Sequence, residues 1–207
     1  MTNKKDKSLV SYDEKRLKEN AQLGISNVDP ADIRPPSILL AQKLSDFSLM
    51  VDKNGVEAKV GQYFHTGQLE IFDSFECYYL FAAKSKYTDR RHPEKGELDQ
   101  YRVLGVLAHD CSLFAMIFRV SSLYTLSSLF GLAAAQKRPM FSIKVKMETK
   151  QLSGEKGDWF VPVCRIIGFE KDPERLGILE DMARQFDSRG GLGDDNLEDD
   201  QVEAEVL

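Results

Sequence analysis

A strand followed by a helix is predicted in the second half of the chain, where apolar and polar residues follow the clearest pattern. The run LFAMIFRV at Leu113–Val120 is rich in apolar and aromatic residues, and Ser121–Ser122 after it is typical of a helix N-cap. Because Arg138 precedes Pro139, its backbone is disfavoured in the helical region, so the helix should end near Lys137. The apolar positions at helical spacing are Leu123, Leu126, Phe130 and Ala133.

Two more strands are predicted after this helix. Apolar and polar side chains alternate from Phe141 to Glu148, which indicates a strand with one buried face and one largely basic face. The apolar positions are Phe141, Ile143, Val145 and Met147, and the polar positions are Ser142, Lys144, Lys146 and Glu148. A Gly-rich turn at Ser153–Gly157 leads into the apolar run Trp159–Phe169, so the two strands should form a β-hairpin.

Short strands and turns are predicted in the first half of the domain. Ser37–Leu44 is interpreted as the first core strand, and Phe75–Tyr87 is the longest strand candidate. Alternation along that long strand predicts one face with Phe75, Cys77, Tyr79 and Phe81, and another with Tyr78, Leu80, Lys84 and Lys86. The polar segment Tyr87–Gln100 is expected to be a mobile loop before strands at Tyr101–Ala108 and Cys111–Val120.

The two ends of the chain differ in composition from its middle. Residues 1–29 are polar and charged, and we expect a mobile N-terminal arm. Near the other end, Asp172–Pro173 is a helix-start signal and Gly190–Gly191 a helix-stop signal. The core face of this helix holds Leu176, Leu179, Met182, Ala183 and Phe186. We therefore predict one domain over residues 30–189 and a disordered acidic tail over residues 190–207.

Charge is unevenly distributed along the chain, which changes the meaning of its net value of −5. Residues 194–207 contain seven acids and no Lys or Arg, so residues 1–193 carry a net charge of +2. Lys84–Arg91 contains four basic residues and one acid, and Lys137–Lys150 contains five and one. Local charge of this kind is informative about partners, so the acidic total does not exclude a polyanion.

Familiar catalytic motifs are absent from the sequence. It has no P-loop, no G-x-G-x-x-G after a strand, no H-E-x-x-H and no G-x-S-x-G, and its histidines are dispersed. Cys77, Cys111 and Cys164 are far apart in strand-like runs, so we expect small core side chains and neither a disulfide nor a metal site. We accordingly expect no enzymatic activity, no metal and no cofactor.

Basic and aromatic residues are interleaved on the predicted strands and loops. Single-stranded nucleic acid is commonly held by Lys and Arg along its phosphates and by aromatic rings that stack on bases, each stack contributing about 1 to 3 kcal/mol. This sequence presents both residue types on the same elements. The predicted nucleic-acid-binding residues are Tyr78, Lys84, Lys86, Tyr87, Arg90, Arg91, Lys144, Lys146, Lys150 and Trp159.

The predicted order of three or more strands, a helix and two strands is that of the OB-fold, a Greek-key barrel with a helix between its third and fourth strands. We therefore predict a mostly β fold with α-helices, an OB-fold-like β-barrel with an added C-terminal helix. With its acidic tail, the chain resembles bacteriophage single-stranded DNA-binding proteins, from Ile33–Pro36 through Ala41–Gln42 to Val163–Arg165.

This resemblance covers roughly residues 30–170 and the tail. It implies that the tail recruits replication partners and competes with DNA for the basic groove. The partner-binding residues implied in this way are Asp199, Asp200, Glu203, Glu205, Val206 and Leu207. Several members of the class end in an aromatic residue, whereas this chain ends in Leu207.

Three functional hypotheses follow from the sequence. The first is a non-catalytic protein that coats single-stranded DNA in a phage replication or recombination system. The second is a non-catalytic phage structural or host-interaction protein with a β-barrel core. The third is a metal-dependent nuclease, which requires Asp110, Glu148 and Lys150 to converge. No apolar run of membrane-spanning length and no signal segment is present, so we expect the cytoplasm, that of the host cell if the protein is phage-encoded.

Overall fold

The computed structural model describes residues 35–89, 93–154 and 157–188, which form two antiparallel β-sheets and two α-helices. The strands are β1 Ile38–Leu40, β2 Tyr63–His65, β3 Glu70–Phe72, β4 Phe75–Thr88, β5 Glu97–Leu107, β6 Leu113–Arg119, β7 Ile143–Gly154 and β8 Gly157–Phe169. The helices are α1 Leu123–Ala135 and α2 Pro173–Ser188. The prediction of a mostly β fold with helices is confirmed.

The long strands form one sheet and the short strands another. The large sheet has the order β6-β5-β4-β7-β8, and the small sheet has the order β1-β2-β3. β4, β5 and β6 follow one another as a meander, and α1 then connects β6 to β7, which pairs with the beginning of β4. Within the described residues no pairing joins β6 to β8, so hydrogen bonds do not close this sheet into a barrel.

One face of the large sheet, called the inner face here, carries the main core. Alternate side chains of its strands meet α1 and the small sheet on this face. The ring of Phe75 makes edge contacts with Tyr63 and Phe114, at centroid distances of 5.1 and 5.7 Å. The buried members are Ile38, Tyr63, Phe75, Cys77, Tyr79, Val103, Leu107, Phe114, Met116, Phe118, Leu126, Leu129, Ala133, Ile143, Val145 and Met147.

The opposite, outer face is partly covered by α2. Leu179 of α2 is fully buried, and Met182, Ala183 and Phe186 pack with it over Tyr78 and its neighbours. The start of this helix is capped as predicted, because the Glu174 N–H donates to Asp172 Oδ1 at 3.0 Å. These contacts explain why a short helix after the last strand is stable: its apolar stripe has a sheet to cover.

A polar contact fixes α2 at its first turn. The Tyr78 hydroxyl donates to Glu170 Oε2 at 2.5 Å, and this bond holds the pKa of Glu170 at about 2. The Arg175 guanidinium lies 5.5 Å from the centroid of the Tyr78 ring and donates to the carbonyl oxygen of Ala108. The contact therefore links the end of β8, the beginning of α2 and the middle of the large sheet.

A β-bulge at Leu80 changes the side on which the second half of β4 displays its residues. Leu80 has no partner of its own on β5, because its two neighbours pair with consecutive residues there. One extra residue inverts the alternation, so Lys84 is opposite Tyr101, which packs against the inner core. The prediction that Lys84 and Lys86 share a face with Tyr78 is therefore wrong.

Several predicted boundaries also differ from the structure. The first strand is only Ile38–Leu40, because its ladder with β2 ends there and the chain turns at Lys43 and Leu44. β4 and β5 pair as far as Thr88 and Glu97, so much of the predicted loop is a strand ladder. Phe141 lies in a 3-10 turn before β7 and packs with the residues under α2, so it does not continue the buried face of β7.

The helix and hairpin of the second half agree with the prediction. α1 ends at Ala135, and β7 and β8 pair along their whole length to Gly154 and Gly157. Ser122 differs in detail, because its Oγ accepts from the Arg119 N–H at 2.9 Å and does not cap the helix. Cys77, Cys111 and Cys164 are free thiols, although Cys111 lies in the turn after β5 and not in a strand. Neither described helix is long and apolar enough to cross a bilayer.

Candidate nucleic-acid interface

Polar and aromatic side chains gather on the outer face beyond the area that α2 covers. We call this group, Ser85, Tyr87, Gln100, Arg102 and Arg119, the outer-face cluster; it lies on the adjacent strands β4, β5 and β6. The Arg119 guanidinium lies over the Tyr87 ring, 4.4 Å from its centroid, and its Nε donates to Gln100 Oε1 at 2.9 Å. Gln100 Nε2 donates to Ser85 Oγ at 3.2 Å. The cluster thus combines cations, a ring and hydrogen-bonding groups on one face of the sheet, in which Gln100 is buried, with 7% of it exposed, and holds its neighbours in place.

Strand alternation explains the position of this cluster. On β5, Gln100 and Arg102 flank Tyr101, which packs against the inner core, so both of them lie on the outer face. On β6, Arg119 follows the fully buried Phe118 and is opposite Gln100. The β5 and β6 members of the cluster therefore lie on the polar face of strands whose other face carries the apolar core.

A cleft of about 470 Å³ opens where β4 begins. This edge cleft is lined by Phe72, Ser74, Phe75, Glu76, Ala108, His109, Lys144 and Lys146. It contains two of the predicted lysines beside the half-buried Phe72 ring, and the Lys144 and Lys146 side chains are 34% and 37% exposed. The edge cleft and the outer-face cluster lie at opposite ends of β4, a strand of 14 residues or about 45 Å.

Acidic side chains neutralise much of the charge in the edge cleft. Lys144 Nζ lies 2.5 Å from Glu76 Oε2, and Lys146 Nζ lies 2.9 Å from Glu148 Oε1. Arg165 adds a third cation, 3.3 Å from Glu148 Oε2. The hydrogen bond from Lys146 lowers the pKa of Glu148 from its ordinary value. Three cations against two carboxylates leave a smaller positive charge than the sequence of β7 alone indicates.

The other predicted lysines do not join this cleft. Lys84 Nζ lies 2.7 Å from Asp99 Oδ2 and Lys86 Nζ lies 3.3 Å from Glu97 Oε2, both across the β4–β5 ladder. The bond to Asp99 raises the pKa of Lys84. Lys150 is exposed on β7, beyond the part that pairs with β4, and has no ion-pair partner within the described ranges. The five lysines are therefore spread over three places.

Tyr78 is a correction to the predicted site. Its side chain is 1% exposed beneath α2, and burial, together with its bond to Glu170, raises its pKa. A ring held in this way cannot stack on a base. No local pattern indicates this burial, because the helix that covers Tyr78 begins almost a hundred residues later.

Trp159 lies on the β7–β8 hairpin, away from the three strands of the outer-face cluster. Its ring packs against Gly154, where an added Cβ would lie 3.0 Å from Trp159 Cζ3. The indole Nε1 is buried and has no hydrogen-bond partner in the part of the chain that the structure describes. One side of the ring is thus occupied by the hairpin backbone.

Several predicted residues lie outside the described residues. These are Arg90 and Arg91 of the β4–β5 loop and the tail residues Asp199, Asp200, Glu203, Glu205, Val206 and Leu207. The predicted arm over residues 1–29 lies outside them as well. Their roles stay predictions.

The residues required by the nuclease hypothesis have separate partners. Asp110 Oδ2 accepts from Gln68 Nε2 and Ser112 Oγ, each at 2.6 Å, whereas Glu148 is held by Lys146 and Arg165. Burial by itself raises the pKa of Asp110, but the hydrogen bonds from Ser112 and Gln68 outweigh it, so the pKa is lowered. Across residues 35–89, 93–154 and 157–188, no group of His, Cys, Asp and Glu side chains is arranged to hold a metal ion.

Sequence reasoning missed Gln100, Arg102 and Arg119. They lie in runs that were interpreted as core strands or loop. The only sign of their outward position is that they are polar residues next to buried ones. The charged residue Arg102 between Tyr101 and Val103 is a signal in the sequence that could have indicated a polar outer face of this strand. Comparison of the chain with family models, with curated proteins and with solved structures finds no match.

Proposed function

We propose that this protein binds single-stranded DNA on the outer face of its large sheet. The observation that carries the proposal is the outer-face cluster, in which an arginine stacks on Tyr87 beside further hydrogen-bonding side chains. Arginine and aromatic rings are the groups that hold an unpaired strand, through its phosphates and through base stacking. The protein would contact the sugar-phosphate backbone of the DNA and show little sequence preference, because phosphate contacts carry no sequence information.

The strand order of the large sheet supports an OB-type architecture. If β4, β5, β6, β7 and β8 are counted as strands one to five of the sheet, its order is three-two-one-four-five, with α1 between strands three and four. OB-folds bind oligonucleotides on the face of strands two and three and on the loops after strands one and four. The corresponding parts of this chain are β5 and β6, residues 89–96, and the β7–β8 turn. Gln100, Arg102 and Arg119 lie on those two strands.

The edge cleft adds a second contact to the proposal. Exposed ion pairs contribute about 0 to 1 kcal/mol, so a phosphate can replace Glu76 or Glu148 beside the cleft lysines at little cost. The aromatic ring of Phe72 lies in the same cleft. DNA bound to both places would have to pass around α2, because this helix covers Tyr78 between them.

The tail and the biological setting belong to the same proposal. Residues 194–207 carry seven acids, which can compete with DNA phosphates for the cationic side chains and can recruit replication or recombination proteins. The resemblance of Ile33–Pro36 and Val163–Arg165 to phage single-stranded DNA-binding proteins supports a phage replication or recombination system.

The proposal is tested by fluorescence anisotropy with a labelled oligo-dT of about 30 nucleotides, a length that exceeds the usual OB-fold site of about 4 to 16. We expect binding at low salt, weaker binding as salt rises, and a preference over a duplex of equal length. A variant with Tyr87→Ala should bind more weakly, while Leu49→Ala, at an exposed apolar position away from the outer-face cluster, serves as the control. Absence of binding at low salt would reject the proposal and favour an interaction protein.

A further inference from the structure

The solvent-exposed side of α1 lacks the charges that such a surface normally carries. Residues 120–136 contain no Asp, Glu, Lys or Arg, although 29% of the chain is charged. Helices of soluble proteins place charged and polar residues on the face opposite their core stripe. Here that face exposes Tyr124 and Leu132, whose exposed fractions are 57% and 42%. The helix is therefore apolar or uncharged on all sides.

The exposed residues of α1 form two parallel rows. Tyr124, Ser128 and Leu132 follow one another at intervals of four and form a ridge with a large residue at each end. Ser127, Gly131 and Ala135 form the neighbouring row, which consists of small residues and leaves a groove beside the ridge. A ridge and a groove of equal spacing lie side by side on the same helix.

The serines of this face do not need a polar partner. Ser127 Oγ donates to the Leu123 carbonyl at 3.2 Å, and Ser128 Oγ donates to the Tyr124 carbonyl at 3.0 Å. Both hydroxyl protons are thus used within the helix. The two serines can be covered by apolar groups without leaving an unsatisfied donor.

No contact or backbone angle in the described part of the chain requires a glycine at position 131. Glycine is a poor residue for the middle of a helix. Its backbone has no left-handed angle, and a Cβ built on it would meet nothing within 4 Å. The usual reason for such a glycine is the close approach of another backbone, which here would have to come from outside.

We propose that α1 is a homodimer interface, in which two copies of the chain pack their α1 helices about a two-fold axis. The Tyr124 and Leu132 ridge of one copy then fills the small-residue groove at Gly131 of the other. A two-fold contact places a surface against its own copy, so any charge there faces a like charge. Residues 120–136 avoid this repulsion, whereas the chain as a whole carries −5 and repels its copy elsewhere.

The size of the surface sets the strength of the dimer. A helix of 13 residues is about 20 Å long, and one side of it covers less than the roughly 800 Å² per partner of a standard interface. Exposed Val120 at the beginning of the helix extends the patch. The dimer is accordingly weak, with a dissociation constant on the order of micromolar or above.

Sedimentation equilibrium of the full chain tests this proposal, over concentrations from about 1 µM to about 1 mM. We expect the mass to rise from monomer to dimer. Leu132→Glu should raise the dissociation constant at least about tenfold. Ile178→Glu, at an exposed apolar position of similar exposure on α2, should leave it unchanged. A mass that stays monomeric throughout overturns the proposal and leaves the face to a different partner.

A second variant separates loss of contact from loss of folding. Gly131→Ala improves helix propensity, so it should keep or raise the thermal midpoint while it weakens the dimer, because the added methyl group occupies the groove. An unchanged dimer in both Gly131→Ala and Leu132→Glu would show that association uses another surface and would reject this interface. DNA binding does not enter these measurements, so their outcome is independent of the proposed function.

Discussion

Both lysines of the edge cleft are held by carboxylates, which compete with any phosphate that enters. Lys144 and Lys146 lie 2.5 and 2.9 Å from Glu76 and Glu148. Removal of the two negative charges by Glu76→Gln and Glu148→Gln should therefore strengthen oligonucleotide binding. Because exposed ion pairs are weak and screened by salt, we expect a gain of only several-fold, largest at low salt. Fluorescence anisotropy against the unaltered chain measures the gain.

The matched control for this pair lies away from the cleft. Glu70 is ion-paired to Lys53 at 2.7 Å, so Glu70→Gln combined with Glu57→Gln removes the same charge elsewhere. The control should bind more tightly only through the general change in net charge. Equal gains in both double variants would show that the edge cleft does not hold phosphate.

Glu170 gives the protein a pH-dependent component of stability. Its carboxyl pKa falls from 4.5 to about 2 in the folded chain, chiefly through the hydrogen bond from Tyr78. A folded-state pKa below the unfolded value stabilises the fold fully above about pH 4.5, and this contribution is lost as pH falls towards 2. Glu170→Gln should lower the free energy of unfolding at pH 7 by on the order of 2 kcal/mol.

Urea unfolding at a series of pH values checks this prediction. The unaltered chain should lose more stability than Glu170→Gln between pH 4.5 and pH 2, because the Glu170 carboxylate is protonated in this range and a glutamine at this position is not. Parallel pH profiles of the two proteins would mean that the Tyr78 contact does not stabilise the fold.

At the level of single residues, alternation predicted some orientations well and others not at all. It correctly turned Val145 inward and left Lys144 and Lys146 outside, because the irregularity between Lys144 and Val145 places its extra residue, Ile167, on β8 and leaves the alternation of β7 intact. It failed for Lys84 and Lys86, because the bulge at Leu80 arises from pairing with β5 and leaves no mark in the local sequence. Lys84, Lys86 and Lys144 each pair with an acid from a neighbouring strand, so a count along one strand overestimates the charge.

At the level of elements, α2 is the part whose packing decides what the outer face exposes. Leu179 is fully buried between this helix and the sheet, so Leu179→Ala should lower the free energy of unfolding by about 2 to 4 kcal/mol. Ile178, the preceding residue, is 49% exposed, and Ile178→Ala should change stability by less than about 0.5 kcal/mol. Chemical denaturation of both variants makes the comparison. Similar losses would mean that α2 does not dock through the face described here.

The elements that sequence patterns predicted best are those with long periodic runs. β6, α1 and the β7–β8 hairpin were recognisable because core residues recur at strand or helical spacing between clear turn residues. β1 was overestimated, because its apolar run continues into a turn after Leu40. The covering of Tyr78 by α2 could not be predicted, because it depends on contacts between distant parts of the chain.

At the level of the whole molecule, the tail should modulate the proposed function. Seven acids in residues 194–207 are tethered to a body of net charge +2, so their encounter with the cationic side chains is intramolecular. Removal of residues 194–207 should strengthen oligonucleotide binding, most at low salt, and should leave the thermal midpoint nearly unchanged. Equal affinities of the full and shortened chains at low ionic strength would contradict competition by the tail.

The salt dependence of binding tests the central claim most directly, because it counts phosphate contacts. Affinity for oligo-dT is measured over a range of salt for the unaltered chain, for Arg102→Gln with Arg119→Gln, and for Lys53→Gln with Lys59→Gln as a charge-matched control. Each lost contact to a single strand should reduce the slope of log affinity against log salt by about 0.7, so the arginine pair should reduce it by about 1.4. The control should keep the slope of the unaltered chain. An unchanged slope in the arginine pair would contradict DNA binding on the outer face.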